Sequence, residues 1–139
     1  MISNIIVAFS NIIPFLFLKI NTKLVYLPLV ASFSYHLSET HHTLNGIYPL
    51  SSISDLLLTI DRVFAIISVL YILITIQKQN KVFLTIGTIG VIFLLYGEKD
   101  YFSGEINNIE YVISHCIWHF AAFYCLLSVK WNKNGENKI

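Results

Sequence analysis

Charge is what this 139-residue chain has least of: Asp, Glu, Lys and Arg make up 12% of it, against roughly 25% in an average soluble domain. Nine basic and eight acidic residues leave a formal net charge of +1. No basic field exists to hold a phosphate backbone, which excludes nucleic acid as a partner. Cysteine is scarce too. Cys116 and Cys125 lie nine residues apart in one apolar stretch, too far along and around a helix to bridge each other. No internal repeat or low-complexity tract interrupts the chain. The first apolar run has no basic segment ahead of it and no small-residue cleavage site before Pro14, so it reads as a retained span rather than a signal peptide.

Apolar residues fill the space that charge leaves. They amount to 55% of the chain, with 14% aromatic and a mean hydropathy of +0.67. A protein this small exposes much of its surface and has no interior large enough to hide that material from water. Lipid is therefore the expected solvent.

A membrane-spanning helix needs about 20 mostly apolar residues, and the sequence offers about five such stretches between short polar breaks. The pattern predicts an all-α integral membrane protein, a single transmembrane domain over residues 1–139 with spans at about 2–18, 22–44, 53–76, 82–96 and 109–131. The second carries Pro28; its polar Glu39–Thr43 segment resembles a loop, but Asn45-Gly46 is the stronger helix stop, which puts the end near Leu44. Ser51 and Ser52 are positioned to cap the third, and Gly87 and Gly90 let a neighbour approach the fourth closely. Lys and Arg accumulate in cytoplasmic loops. Lys19, Lys23, Lys78, Lys81, Lys130, Lys133 and Lys138 all fall on one side of such a bundle. The other side holds only Lys99 among lysines, together with Glu39, Glu98, Asp100, Glu105 and Glu110. An N-terminus outside and a C-terminus in the cytosol follow, in a plasma membrane or an internal one.

Ionisable side chains inside spans are costly and face the bundle interior by default. Here they are His36 on the second span, Asp55, Asp61 and Arg62 on the third, and His115 and His119 on the fifth, with Ser32 one turn before His36. Residues four apart share a helical face, so Ser32 stacks on His36 and His115 on His119. Two imidazoles at that spacing can take adjacent corners of a tetrahedral zinc site. On the predicted boundaries, His36, Asp61 and His115 each lie roughly 9 to 12 Å below the outward end of their helix. Alone, a buried His is more often a packing residue; the ordered set at one depth points to a metal site. His41 and His42 read as a solvated helix end beside Glu39, Asp55 as a first-turn carboxylate favoured by the helix dipole, and Cys116 as packing. Arg62 points about 100° away from Asp61 and has three readings: a pair with Asp55, a snorkelling side chain, or a contact to an anionic lipid head group.

The stretches Ser32-Phe33-Ser34-Tyr35-His36, Thr59-Ile60-Asp61-Arg62-Val63-Phe64-Ala65 and His115-Cys116-Ile117-Trp118-His119 together resemble the CREST superfamily of membrane proteins. That group includes the alkaline ceramidases, the progestin and adipoQ receptors and the relatives of myomaker; the Tyr-His and His-x-x-Trp-His phrases look closest to the myomaker-like branch. The resemblance runs from about Ser32 to Phe120. It implies zinc held by His36, His115 and His119, with Ser32 and Asp61 beside the metal-bound water. The family usually has seven spans and this chain has room for about five. The resemblance thus implies either a reduced lipid cavity or a homo-oligomer in which a second copy supplies the missing helices.

The expected function is zinc-dependent hydrolysis of a lipid amide or ester inside the membrane. Asp61 would be the base, Ser32 a hydrogen-bonding partner of the water or oxyanion, and Arg62 a candidate substrate contact. Two rivals stand beside it. One is a receptor or membrane-remodelling protein with a structural zinc clamp. The other is a b-type haem held between His36 and a His of the fifth span, which leaves Ser32 and Asp61 without a role.

Overall fold

The computed structural model describes residues 1–18, 25–42, 44–75, 81–99 and 108–128, and every regular element among them is helical. In chain order these are α1 (Ile2–Ser10), α2 (Ile13–Phe17), α3 (Tyr26–Ser38), a 3-10 turn (Leu50–Ile53) that runs into α4 (Ser54–Thr75), α5 (Lys81–Gly97) and α6 (Asn108–Ser128). Two stretches are long and apolar enough to cross a membrane, Leu50–Ile74 and Asn108–Ser128; Lys81–Gly97 is apolar but shorter. Lys19, Lys23, Lys78, Lys130, Lys133 and Lys138, which carry most of the orientation reading, lie outside the described residues, as do Asp100 and Glu105.

The helix expected over residues 2–18 is broken. Pro14 has no N–H to give, and its ring would meet the carbonyl four residues earlier, at Ser10. The chain answers with a tight turn in which the Asn11 and Ile12 amides donate to Ala8 and Phe9 oxygens at 3.3 and 3.0 Å. Ser10 and Asn11 are thereby turned into the interior, where both are buried.

The second helix also departs from expectation, ending at Ser38 instead of Leu44. Its beginning tolerates Pro28 because first-turn amides lack intrahelical partners anyway. Its last carbonyls find their partners from elsewhere in the fold. Asn4 of α1 donates its side-chain amide to the His36 and Glu39 oxygens at 3.0 and 2.8 Å, and the Ile47 amide donates to Leu37 O at 2.8 Å. Gly46 lies so close to Ser38 that a Cβ there would collide with the Ser38 carbonyl. Asn45-Gly46 thus does sit at the helix terminus, but in space, where the chain folds back, and not in sequence. Ser52 likewise does not cap α4: its hydroxyl donates to Pro49 O at 2.6 Å inside the 3-10 turn.

Helix α6 is the hub, packing against α5, α1, α2 and α4, while α3 packs against α1 and α4. Helices α5 and α6 run antiparallel, with Gly87 opposite Cys125, Gly90 opposite Ala121 and Gly97 opposite Ser114. A Cβ on Gly90 would lie 2.5 Å from the Ala121 Cβ and 3.4 Å from the Trp118 ring, whereas one on Gly87 would meet only Cys125 Sγ at 3.5 Å. Gly90→Val should therefore force the two helices apart and destabilise the protein by about 1–3 kcal/mol, seen as a lower Tm in detergent. Gly87→Ala should leave Tm nearly unchanged, and equal Tm values for the two variants would contradict this packing. The outer side of α4 is an apolar band: Leu56, Ile60, Val63, Ile67, Leu70 and Ile74 are all exposed. Such a continuous apolar surface is unfavourable in water and favourable in hydrocarbon.

Candidate metal centre

Three buried histidines meet in the middle of this arrangement. His36 comes from the last turn of α3, and His115 and His119 from successive turns of α6; one ring nitrogen of each lies within 4.8 Å of those of the other two. Ring centroids are 4.9 Å (His36–His115), 4.6 Å (His36–His119) and 5.1 Å (His115–His119) apart. Donors of a tetrahedral zinc site are roughly 3.4 Å apart, given metal–nitrogen bonds of about 2.0–2.1 Å. Small ring rotations close that difference. The cluster can hold a metal ion.

The hydrogen bonds around the rings decide which nitrogens are available. His36 Nδ1 lies 2.8 Å from Glu39 Oε2; a carboxylate oxygen accepts, so Nδ1 carries the hydrogen and Nε2 keeps its lone pair. His119 Nδ1 lies 2.8 Å from Ser10 Oγ. The Ser10 hydroxyl already donates to Val7 O at 2.6 Å, so Oγ accepts from the imidazole and Nε2 of His119 is again free to bind. His115 presents a different signal: its Nδ1 is buried with no hydrogen-bond partner among the described residues. A buried polar atom left unpaired carries a penalty of about 1–3 kcal/mol, which a metal bound through Nδ1 itself would offset. The donor set fits a divalent ion.

Ser32 and Asp61 border the same point. Ser32 Oγ is 3.5 Å from His119 Nε2 and 3.2 Å from Asn11 Oδ1. The Asp61 carboxylate has the Ser32 hydroxyl as a hydrogen-bonding neighbour and the His36 ring within electrostatic range. A cavity of about 220 Å³ is lined by Ser32, Asp61 and His119 and by apolar walls that include Ala65 and Ile72 of α4, Phe83 and Gly87 of α5, and Phe123 of α6.

No protein-family model, no curated protein and no solved structure matches this chain. The chemistry of the centre is therefore read from its own residues.

Of the six residues of the sequence-derived set, Ser32, His36, Asp61, His115 and His119 converge here and Arg62 does not. The depth reading for His36 does not survive, since it sits in the last turn of α3 and not about two turns inside a longer helix. It is buried, 1% exposed, because the segment after Ser38 folds back over the helix end. His42 is not a solvated helix end either: its ring stacks on Tyr111 at 4.1 Å, and its Nε2 is 4.0 Å from Glu39 Oε1. His41 approaches the exposed Asp55 carboxylate at 3.3 Å. Arg62 is exposed on α4 and is not among the residues that wall the cavity.

Four participants were missed in the sequence: Ser10, Asn11, Glu39 and Tyr111. Tyr111 donates its hydroxyl to Glu39 Oε1, and Glu39 is completely buried. Two of them carried a legible signal. Glu39 is one turn after His36 and Tyr111 one turn before His115, spacings that place side chains on one face. Ser10 and Asn11 carried none, because only the break before Pro14 aims them inward.

Proposed function

We propose that this chain is a multi-pass membrane protein of about five spans, with its N-terminus outside and its C-terminus in the cytosol. We further propose that it is a zinc-dependent hydrolase of lipid amides or esters, in keeping with its resemblance to the CREST superfamily. The observation that carries the reading is the conjunction of a three-histidine cluster with Asp61 and Ser32 in the wall of an apolar cavity that His119 also lines. A structural metal site has no need of a carboxylate, a hydroxyl and an alkyl-sized groove at its edge. Alternation of spans is supported by contacts that gather the start of α1, the end of α3 and the starts of α4 and α6 at one end. These are Ser3 to Asn108, Asn4 to Glu39, and His41 to Asp55.

His36, His115 and His119 would hold the zinc, which would supply Lewis acidity towards the scissile carbonyl and the attacking water. The residues of the chain divide the remaining work. Asp61 accepts the proton of the attacking water and returns it to the leaving amine or alkoxide. Ser32, whose hydroxyl hydrogen goes to Asn11 Oδ1, accepts a hydrogen bond from the attacking water. The apolar walls take the alkyl chain, so that the scissile carbonyl stops beside His119, and they keep bulk water out. A haem reading fits poorly: with three donors mutually within 4.8 Å, a third imidazole would fall on the macrocycle that the other two sandwiched.

The test is purified protein in detergent, analysed for metal and visible absorption and then assayed against a panel of ceramides and phospholipids. Zinc near one equivalent, no Soret band and release of a fatty acid from at least one lipid are expected. Zinc-replete protein that stays inert across the panel would point to a structural clamp instead.

A further inference from the structure

We propose that Glu39 is a positioning residue of the metal centre, which fixes the His36 ring for ligation and supplies negative charge that favours a divalent cation over an empty site. The inference rests on the reading of the three histidines as metal ligands. Glu39 directly follows the last residue of α3, and its backbone is extended (φ −58, ψ 125). Its side chain reaches back to the last turn of the helix, where His36 stands three residues earlier. Both carboxylate oxygens are engaged: Oε2 accepts from His36 Nδ1 at 2.8 Å and Oε1 from the Tyr111 hydroxyl. The Glu39 carbonyl is tied to Asn4 at 2.8 Å, so the backbone that carries the carboxylate is fixed as well.

This carboxylate is 0% exposed. A buried carboxylate demands strong compensation. Among the described residues, the groups that contact it are His36, Tyr111 and Tyr35, with His42 at 4.0 Å, and none is a Lys or Arg. A dication bound at the far nitrogen of His36 provides that compensation through the ring, and the ring in turn becomes a stronger donor as its Nδ1–H leans on the carboxylate. Together with Asp61, Glu39 would give the centre two carboxylates against two positive charges. Ser10 plays the tautomer-fixing part for His119 but brings no charge, so the two supporting residues are not equivalent.

The experiment measures zinc affinity by chelator competition in detergent for wild type, Glu39→Gln and Glu39→Leu. The Gln variant keeps an acceptor and loses the charge; the Leu variant loses both. The zinc Kd is expected to rise about tenfold in the first and about a hundredfold in the second. Tm of the metal-free proteins is followed in parallel. A lower Tm with unchanged zinc affinity would mean that Glu39 only packs, and would overturn the proposal. A check that needs no variant is the ¹⁵N spectrum of the wild-type imidazoles, where His36 should report the Nδ1–H form; an Nε2–H form overturns the assignment. Wild type that binds zinc in a Glu39-dependent way yet hydrolyses no lipid removes the hydrolase reading and leaves this role intact. Variants that hold zinc as tightly as wild type remove this role and leave the hydrolase, and protein that binds no zinc removes both.

Discussion

His115→Ala is expected to abolish zinc binding and to lower lipid turnover by at least about a thousandfold. His115 is one of three nitrogen donors in the cluster among the described residues, and two remaining imidazoles cannot fix a tetrahedral ion with an open position. Loss of metal polarisation forfeits several kcal/mol of transition-state stabilisation, and each 1.4 kcal/mol is tenfold in rate. The fold should tolerate the change better than the chemistry, because the His115 Nδ1 makes no hydrogen bond that the variant would break. Thermal unfolding separates the two effects. Wild type should gain stability on zinc addition, about 2.7 kcal/mol at a hundredfold excess over Kd, and His115→Ala should gain none. A variant that still binds one equivalent of zinc and turns over lipid would sink the assignment of His115 as a ligand.

Asp61→Asn separates proton transfer from metal binding. Asp61 lies beside Ser32 on the cavity wall and is not one of the three clustered donors, so zinc content should stay at the wild-type level. The amide cannot accept the proton of the attacking water, and loss of a positioned general base lowers rates by about 10²- to 10⁴-fold. The predicted signature is a fall in kcat with metal retained and KM little changed, since the alkyl chain still meets the same apolar walls. If turnover instead stays within a few-fold of wild type, Asp61 is not the base. If zinc is lost along with activity, Asp61 belongs among the ligands.

Much of this centre was legible in the sequence because local geometry alone sets it. His115 and His119 stand on one face whatever surrounds the helix, as do Ser32 and His36, because four residues nearly complete a helical turn. The apolar lengths around Asp61 and His115 were equally plain: α4 and α6 fall at Ser54–Thr75 and Asn108–Ser128, close to the stretches expected from hydropathy. The errors came where a helix end depends on a distant partner. The polar Glu39–Thr43 segment hinted at a stop after Ser38, but Asn45-Gly46 outweighed it locally, since the groups that satisfy the last carbonyls are the distant Asn4 and Ile47. Glu39 was read as an outward-facing acid for the same reason: with the helix carried on to Leu44, its charge counted towards topology and not towards the site.

By itself the sequence determined that lipid is the expected solvent, that the chain is helical, and that His36, His115 and His119, with Ser32 and Asp61 beside them, make up the candidate metal centre. These follow from composition and helical periodicity, which act over one or two turns. Only the tertiary structure decided that the Pro14 break delivers Ser10 to His119 and Asn11 to Ser32, that α3 stops at Ser38, and that Glu39 is buried against His36 and Tyr111. Each of those depends on which buried donors and acceptors find one another across separate helices. Burial requires that pairing, but residue order along the chain does not state it.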